Sequence, residues 1–350
     1  MKTSFVSNLT IQNSMLQTIA KAQQEMLKLE EETVTGRHAD IGVTLGAKTA
    51  RTLNLHRDLQ RMESLLSTNA LTTQRLAASQ ESLGLMSEAA NSILEDLLTF
   101  SGTESQDQLD LAKESFGDSI SMFTAAVNTS FSGEYLFAGI NSDVMPVADY
   151  LDDAGSAAKT AFDAAFLAHF GFDQTDPLTE TITEADMATF LSDLETSFMG
   201  ADWTTDWSSA SDQNLTSRIS NSEVVQSSTN ANADGMRKFA LGAVIGYEIM
   251  NLNLTDATRK TVSDTATQYI SQAITGIDAE RSRLGISEAR VTQANNSLEA
   301  QATILSTSIN NLEAVDTNEA ASRMLTLESQ LSLAYTLTSR IQNLSLVNYL

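Results

Sequence analysis

The chain contains no cysteine. That excludes a disulfide framework and any thiolate metal site. It is compatible with chance, and equally with a polypeptide that leaves the cell unfolded and must avoid thiol oxidation outside it. Proline is nearly absent: Pro146 and Pro177 are the only two in 350 residues. Aromatic residues make up 6%, against a hydrophobic fraction of 42%. Ala, Leu, Ser, Thr and Gln dominate instead, which suits long helices better than a sandwich or barrel. Positive charge is scarce, with 21 Lys and Arg against 45 Asp and Glu for a net charge of −24. The deficit is uneven. From Glu114 to Asp234 twenty acidic residues face two basic ones, Lys159 and Arg218. Such a field repels nucleic acid and anionic lipid.

Long apolar runs are missing as well. The start, "MKTSFVSNLTIQNSMLQTIA", lacks the continuous apolar core of a secretory signal. The most apolar window, residues 239–254, is interrupted by Glu248 and is too short to span a bilayer. The expectation is a soluble chain with no cleavable secretion signal. Its length allows one large domain or two to three smaller ones, with room for a core.

Catalytic signatures are also lacking. His38, His56 and His169 share no ligand spacing, and no zinc-protease, nucleophile-elbow or phosphate-loop pattern occurs. His56 reads as a solvated or edge position on a helix. The acidic group Asp143, Asp149, Asp152 and Asp153 could attract calcium, yet it lacks the glycine and glutamate positions of an EF-hand loop. A solvated acidic loop is the simpler account. Trp203 and Trp207 could form a sugar platform, against the plainer reading of packed or exposed outer aromatics. No catalytic residue, metal site or cofactor is expected.

What the sequence does contain is helix periodicity. Leu55, Leu59, Met62, Leu66, Asn69, Thr73, Leu76, Gln80, Leu83, Ser87, Ala90, Leu94 and Leu97 follow alternating steps of four and three. A helix over about 45–100 would be roughly 80 Å long, so the pattern predicts a rod. Polar seam residues weaken such pairing but fix its register. After Ser101-Gly102, Thr103 and Gln106 fit a capping box for a second helix. That helix carries Leu109, Ala112, Phe116, Ile120, Phe123 and Val127 on one face and ends near Ser132-Gly133. A long helix over about 256–313 repeats Leu284, Val291, Leu298, Leu305 and Leu312 every seven residues. The fold class expected is mainly α. It is a long antiparallel helical rod, like a coiled-coil bundle, with a short β segment, a small inserted outer domain and amphipathic terminal helices.

The domain reading follows composition. Residues 1–43 form an N-terminal amphipathic helix and turn, and 44–140 the first half of the rod. Residues 141–235 form an acidic α+β insert, holding both prolines and both tryptophans. Residues 236–313 return as the second half, and 314–350 form a C-terminal amphipathic helix. Within the insert, "GSAAKTAFDAAFLAHF" and "TEADMATFLSDLETSF" read as short helices and "LTSRISNSEVVQSST" as extended. Leu9, Leu16, Ile19 and Met26 share one face of the N-terminal helix. Ala320, Met324, Leu327, Leu331, Ala334, Thr338 and Ile341 share one face of the C-terminal one, with Asp316 and Glu319 as its cap. No partner for either face is evident within the rod, and isolated amphipathic helices are marginal in water. The candidate subunit and chaperone interface is therefore Leu9, Leu16, Ile19, Met26, Met324, Leu327, Leu331, Ile341, Leu344 and Leu346.

Three short motifs narrow the reading. "EETVTGRHADIG" holds Thr35, Gly36, Arg37 and Asp40. "GEYLFAGINSD" holds Gly133, Tyr135, Leu136, Phe137, Ala138 and Gly139. The chain stops at "LSLVNYL". The first resembles the turn after the opening helix of flagellins and hook-associated proteins, although the second acidic residue common in that turn is replaced by Ile41-Gly42. The second resembles the "G-x-Y-[IL]-F-A-G" segment of hook-associated protein 3 (FlgL), the hook-filament junction family of the flagellin-like superfamily, which flagellins usually lack. The ending is similar to that same family's.

The resemblance implies a structural subunit with no enzymatic activity, in a short ring or helical array of about eleven copies, each contact heterologous and repeating. It implies the first hook-associated protein on the hook side, flagellin on the filament side, and an export chaperone on the C-terminal helix. It places the protein outside the cell at the hook-filament junction, delivered unfolded by the flagellar type III system. Few prolines would spare slow isomerisation on refolding. Burial of several Leu, Ile and Met side chains at roughly 1.5–3 kcal/mol each would offset the ordering of the ends. Two alternatives stand beside it: a filament flagellin, and a ligand-binding or enzymatic module in the insert. Tyr135 and Phe137 are expected to anchor the joint between rod and insert.

Overall fold

The structure, a computed structural model, describes residues 8–99, 105–152 and 155–343. Leu344, Leu346 and the rest of the "LSLVNYL" ending lie outside the described residues, as do Thr103 and Asp153. The side chains of Leu9 and Ile341 are likewise not described. Among the described residues the elements run α1 (Asn8–Thr35), α2 (Ile41–Leu45), α3 (Thr49–Thr99), α4 (Gln106–Val127), β1 (Ser130–Phe131), β2 (Glu134–Tyr135), α5 (Ala157–Phe170), α6 (Glu184–Met199), β3 (Thr216–Arg218), β4 (Val224–Gln226), α7 (Asp234–Ile249), α8 (Asp256–Glu313) and α9 (Thr317–Asn343). The fold is mainly α, with long helices and two small hairpins. Neither α3 nor α8 contains a proline, so nothing interrupts their ladders. The chain divides into two compact units, one of Met1–Ser64 with Leu298–Leu350 and one of Leu65–Ser297.

In the first unit α1 and α9 pack on each other. They run antiparallel, since Met15 meets Thr338, Gln23 meets Tyr335 and Arg37 meets Ala314. The partner that is not evident within the rod from the sequence is thus supplied by the chain itself: each terminal helix packs on the other. Ile19 and Leu29 of α1 and Ala320 and Leu331 of α9 are buried along the seam. The start of α3 and the end of α8 belong to the same unit, with Thr52 and Ile309 buried.

The second unit holds one continuous core. Leu76, Leu83, Met86, Ala90, Ile93 and Leu97 supply the α3 side. The buried stripe moves from Leu94 to Ile93 along α3, the drift expected where 3.6 residues per turn meets a seven-residue repeat. Helix α4 begins two residues later than the sequence suggests. Ser105 is the N-cap, and its backbone N–H donates to Gln108 Oε1 at 2.9 Å. All six residues expected on its inner face, Leu109 through Val127, are buried. Helix α4 packs on α7, where Phe123 stacks on Phe239 with ring centroids 3.9 Å apart.

The segment 141–235 contributes to this same core rather than to one of its own. Phe162, Phe166, Phe190, Trp203 and Trp207 join Phe116 and Leu241 in it. Helices α5 and α6 appear where the amphipathic pattern predicts them, each opened by a side-chain cap, Ser156 and Thr183. Residues 216–226 are extended as expected and form the β3–β4 hairpin. Helix α7 starts at Asp234, ahead of the expected return near Ala240. There Gly235 and Gly276 bring backbones together so closely that a Cβ on Gly235 would lie 2.7 Å from the Gly276 carbonyl carbon.

Candidate assembly site at the termini

Pairing α1 with α9 settles one face of each helix and exposes the others. Ile19, Met26, Met324, Leu327 and Leu331 lie on the shared seam, buried or half-buried. Leu16 does not: it is more than half exposed and points away from α9's seam. The sequence groups Leu16 with Ile19 because three residues apart is one helical face, but the face that packs runs through Ile11, Met15, Ile19, Ala22, Met26 and Leu29. Two paired helices cannot cover all their apolar side chains. Leu27 and Val34 on α1, and Leu325, Leu333 and Leu337 on α9, remain open to solvent, Val34 at 81% and Leu333 at 64%. Scattered exposed leucines are ordinary; these lie along a single helix pair.

The turn after α1 shows what its motif residues do. The Thr35 hydroxyl donates to the Glu31 carbonyl at 2.7 Å and closes the last turn. Gly36 follows with φ +68, the left-handed conformation that ends a helix without a Cβ clash. Arg37 then bridges Ala314 as a short antiparallel contact. The His38 N–H donates to the Glu313 carbonyl at 2.9 Å, and the Val315 N–H to the Gly36 carbonyl at 3.0 Å. The turn is thus clipped to the end of α8. Asp40 caps α2, its Oδ1 accepting from the Val43 N–H at 3.0 Å.

At the centre of this clip sits Glu313, the last residue of α8, whose side chain is 1% exposed. A carboxylate so buried needs partners. His56 Nε2 lies 2.7 Å from one oxygen and Arg37 Nη1 3.4 Å from the other. A second Arg37 nitrogen donates to Asn310 Oδ1 at 2.9 Å. His38 faces Glu32 at 3.5 Å. His56, its side chain 39% exposed, sits at the edge of the helix and is one of two side chains that hold a buried carboxylate. No spacing rule links His56 to Glu313, which are 257 positions apart, so this cluster was invisible in the sequence.

The "GEYLFAG" segment occupies a different joint. The sequence has the preceding helix end at Ser132-Gly133, but α4 stops at Val127 and Ser132-Gly133 form the turn of the β1–β2 hairpin, both with positive φ. Leu136 and Phe137 are buried, while Tyr135 is only half-buried, so Leu136 and not Tyr135 is the second anchor. Beyond the hairpin the chain threads between two strands of loop. The Ser211 N–H donates to the Ala138 carbonyl at 2.9 Å and the Ala231 N–H to the Phe137 carbonyl at 2.8 Å. Gly139, at φ +63, faces the Ser211 and Gln213 carbonyls so closely that a Cβ would lie 2.4 Å from the first.

The loops around it are fixed by Asn232, which the sequence gives no reason to single out. Its Oδ1 accepts from Trp203 Nε1 at 2.8 Å and from the Ser208 hydroxyl at 2.6 Å. Its amide donates to Asp212 Oδ1 at 2.7 Å. Trp203 stacks on Trp207, and Trp207 on Tyr150, all three buried. The tryptophan faces are covered by protein, so they offer no sugar platform. Nearby, Glu248 is buried against the Tyr150 hydroxyl at 2.9 Å and Lys159 at 3.3 Å. Burial, then the Glu248 charge, pushes the Tyr150 phenol well above its ordinary range. Burial lowers the affinity of Lys159 for its proton, but Asp163 and Glu248 outweigh it and the lysine is held above its usual value. These groups are structural ties of the core. Asp143, Asp149 and Asp152 are exposed, and no group of three or more potential metal-ligating side chains occurs among the described residues.

Comparisons with known proteins agree with the fold. The family model for the bacterial flagellin N-terminal helical region matches residues 6–142, and that for the bacterial flagellin C-terminal helical region matches residues 267–350. Together they span well over half of the chain and leave the central segment unmatched. A solved structure described as a flagellar hook-associated protein from Vibrio parahaemolyticus shares the fold at a TM-score of 0.53 and 9% sequence identity, covering 76% of this chain and 97% of its own. No sequence among curated proteins matches the chain. Both terminal regions of the flagellin pattern are present, in order and joined through the α1–α9 pair, and the chain belongs to the flagellin-like family as a structural, non-enzymatic subunit of the flagellum.

Proposed function

We propose that the protein is a subunit of the hook-filament junction, assembled through its terminal helices after unfolded export. One observation carries the assembly part: the α1–α9 pair leaves Leu27, Val34, Leu325, Leu333 and Leu337 exposed on its outer faces. In an array of copies these side chains would be covered by neighbours, each buried Leu adding roughly 1.5–3 kcal/mol. Leu16, half-exposed on α1, joins this outer set. The junction part is supported by "GEYLFAG" and the "LSLVNYL" ending, and by the hook-associated description of the structural relative. The partners on this reading are further copies of the chain, a hook-associated protein on one side, flagellin on the other, and a chaperone on the C-terminal helix before export.

A filament flagellin is the second reading, favoured by the general flagellin models that match both ends. Gold labelling of intact flagella with an antibody to residues 141–235 separates the two. A single band between hook and filament is the expected result. Label along the whole filament would overturn the junction and leave the flagellar assignment standing. Deletion of the gene is expected to leave hooks without filaments, with flagellin shed into the medium.

A further inference from the structure

Helix α5 is apolar around its whole circumference. Its only polar residues are Lys159, Thr160, Asp163 and His169, and Lys159 and Asp163 pair with each other. A helix of that kind belongs in the middle of a core. One side of α5 does reach the core, through Ala158, Phe162 and Phe166. The opposite side does not. Ala157, Ala161, Ala164 and Ala168 follow steps of four and three and form one stripe there. Ala161 is half-buried and the other three are exposed. Leu167 flanks them at 51% exposure.

This stripe borders a groove between α5 and α6. A cavity of about 290 Å³ is lined by Ala165, Ala168, His169, Phe190, Asp193 and Leu194. A narrower one continues it, sharing Ala165, Leu194 and Ser197 and reaching Asp202, Trp203, Asp206 and Trp207. The floor is apolar and the rim is acidic. The Asp193 side chain is 68% exposed, with His169 Nδ1 at 3.6 Å as its ion-pair partner. Asp202 accepts from the Ser197 hydroxyl at 2.7 Å. Neither Asp202 nor Asp206 pairs with a Lys or Arg among the described residues, and neither do the exposed Glu184 and Asp186 of α6. Arg237, which lies over the Trp203 ring, donates instead to the Asn232, Met199 and Gly200 carbonyls. The helix pair thus turns an apolar stripe and a row of unneutralised carboxylates toward solvent side by side.

We propose that the open side of α5 and its groove against α6 form a docking site for a basic amphipathic helix of a partner protein. The partner's apolar face lies along Ala157, Ala161, Ala164 and Ala168, where small side chains allow close approach. Its Lys or Arg stems cross the groove and set their charges on Asp193, Asp202 and Asp206. The charge selects this occupant, since nucleic acid, anionic lipid and acidic segments are all repelled here. The shape selects a helix, because a straight stripe about 20 Å long, the span of α5, is what a helix laid in a groove covers. Complementary charge steers the encounter and sets the register, while the covered apolar stripe supplies the affinity. The site uses residues of the second unit alone and rests on neither self-assembly nor the junction position.

The test is binding of a fluorescein-labelled peptide to the purified full-length chain, read by fluorescence anisotropy at about 0.15 M salt, where charges more than about 8 Å apart are largely screened. The probe is a Leu–Lys helix about as long as α5 with every Leu on one face. A scrambled peptide of the same composition carries the same charge without that face. The parent is expected to bind the probe at least about tenfold more tightly than the scrambled peptide. A164E/A168E places helix-forming side chains at two exposed positions, adding negative charge while removing the apolar stripe. Attraction by charge alone would hold or grow in this variant, whereas docking weakens by about tenfold or more. D193N/D202N/D206N removes the rim charge and is expected to bind more weakly than E63Q/E299Q/E328Q, which makes the same charge change at exposed positions of the first unit. Failure of the parent to bind, equal binding of the scrambled peptide, undiminished binding by A164E/A168E, or equal binding by the two neutralised variants would each overturn the proposal. None of these results bears on where the protein sits in intact flagella, which the gold labelling decides.

Discussion

Replacing Gly139 by alanine tests the joint at "GEYLFAG" most sharply. The added Cβ would lie 2.4 Å from the Ser211 carbonyl oxygen and 2.6 Å from that of Gln213. An ordinary carbon–oxygen contact is about 3.3 Å or more, so the 211–213 loop must retreat by nearly 1 Å. That retreat loosens the Ser211 N–H bond to the Ala138 carbonyl, now 2.9 Å, and strains the Ala231 bond to Phe137. A φ of +63 adds about 1 kcal/mol or slightly more for any residue with a Cβ. With about 1 kcal/mol for each weakened hydrogen bond, the expected loss is about 3–4 kcal/mol. Gly133 supplies the control. Its φ is also positive, at +86, but nothing lies within 4 Å of its Cβ position, so Gly133→Ala should cost only about 1 kcal/mol. The protein carries its own reporter, since its two tryptophans, Trp203 and Trp207, are buried beside the affected loop. In urea, the fluorescence midpoint of Gly139→Ala should fall by roughly 1 M, several times the shift of Gly133→Ala. Equal midpoints for the two variants would refute the close-approach argument.

Three further expectations follow from the same geometry. Glu313→Gln removes the charge that His56 and Arg37 hold, and should weaken the first unit by about 1–3 kcal/mol, the half-exposed Arg37 contributing the smaller part; faster hydrogen exchange at the amides of residues 36–38 and 313–315 would report it, and unchanged exchange would contradict it. Leu333→Ser with Leu337→Ser alters side chains that stay about half or more exposed, so stability should fall by less than about 1 kcal/mol while assembly into flagella is lost; assembly at parental levels would count against the outer face as an interface. Lys238, which donates to Glu195, holds that carboxyl below its ordinary value, with burial opposing and Tyr269 adding to the effect. A depressed folded value means the stabilisation is present above the unfolded value and is lost as pH falls through the folded one; acid denaturation of Glu195→Gln should therefore differ from the parent most above about pH 4.3 and converge with it only as pH falls through the lower folded value, and parallel curves throughout would disprove the link.

Much of the fold was legible from spacing alone. The heptads of α3 and α8, the amphipathic α5 and α6 and the inner face of α4 all appear where periodicity places them, because a helix's apolar stripe is written in residues three and four apart. The motif turn at Thr35–Asp40 was legible as a turn, whereas the left-handed conformation in which Gly36 ends α1 came from the structure. The boundaries were less so: α4 is capped by Ser105 where the sequence offered Thr103, because both are competent caps followed by a glutamine three residues on. The end of α4 was placed too late because Ser132-Gly133 serves a hairpin turn as readily as a helix stop. Leu16 was grouped on one face with Ile19 and Met26 as a subunit contact; they pack against α9 while Leu16 stays exposed, since a face read from four residues leaves its centre uncertain by about one position.

What the sequence by itself determined is therefore local: which segments are helical, which stripe of each is apolar, where the acidic charge accumulates, and the three motifs that point to the flagellin-like family. Each follows from residues close together in the chain. Tertiary structure alone decided which stripes meet. It paired α1 with α9 from opposite ends of the sequence, brought His56 and Arg37 onto Glu313, and set Asn232 under Trp203 and Ser208. It also drew the 141–235 segment into the core of α4 and α7. Such choices depend on closing loops of tens to hundreds of residues around a shared buried volume, and no periodicity within a window carries that information. The exposed leucines of α9 belong to the same class: their apolar character is plain in the sequence, but only the fold shows that the described residues leave them about half or more exposed.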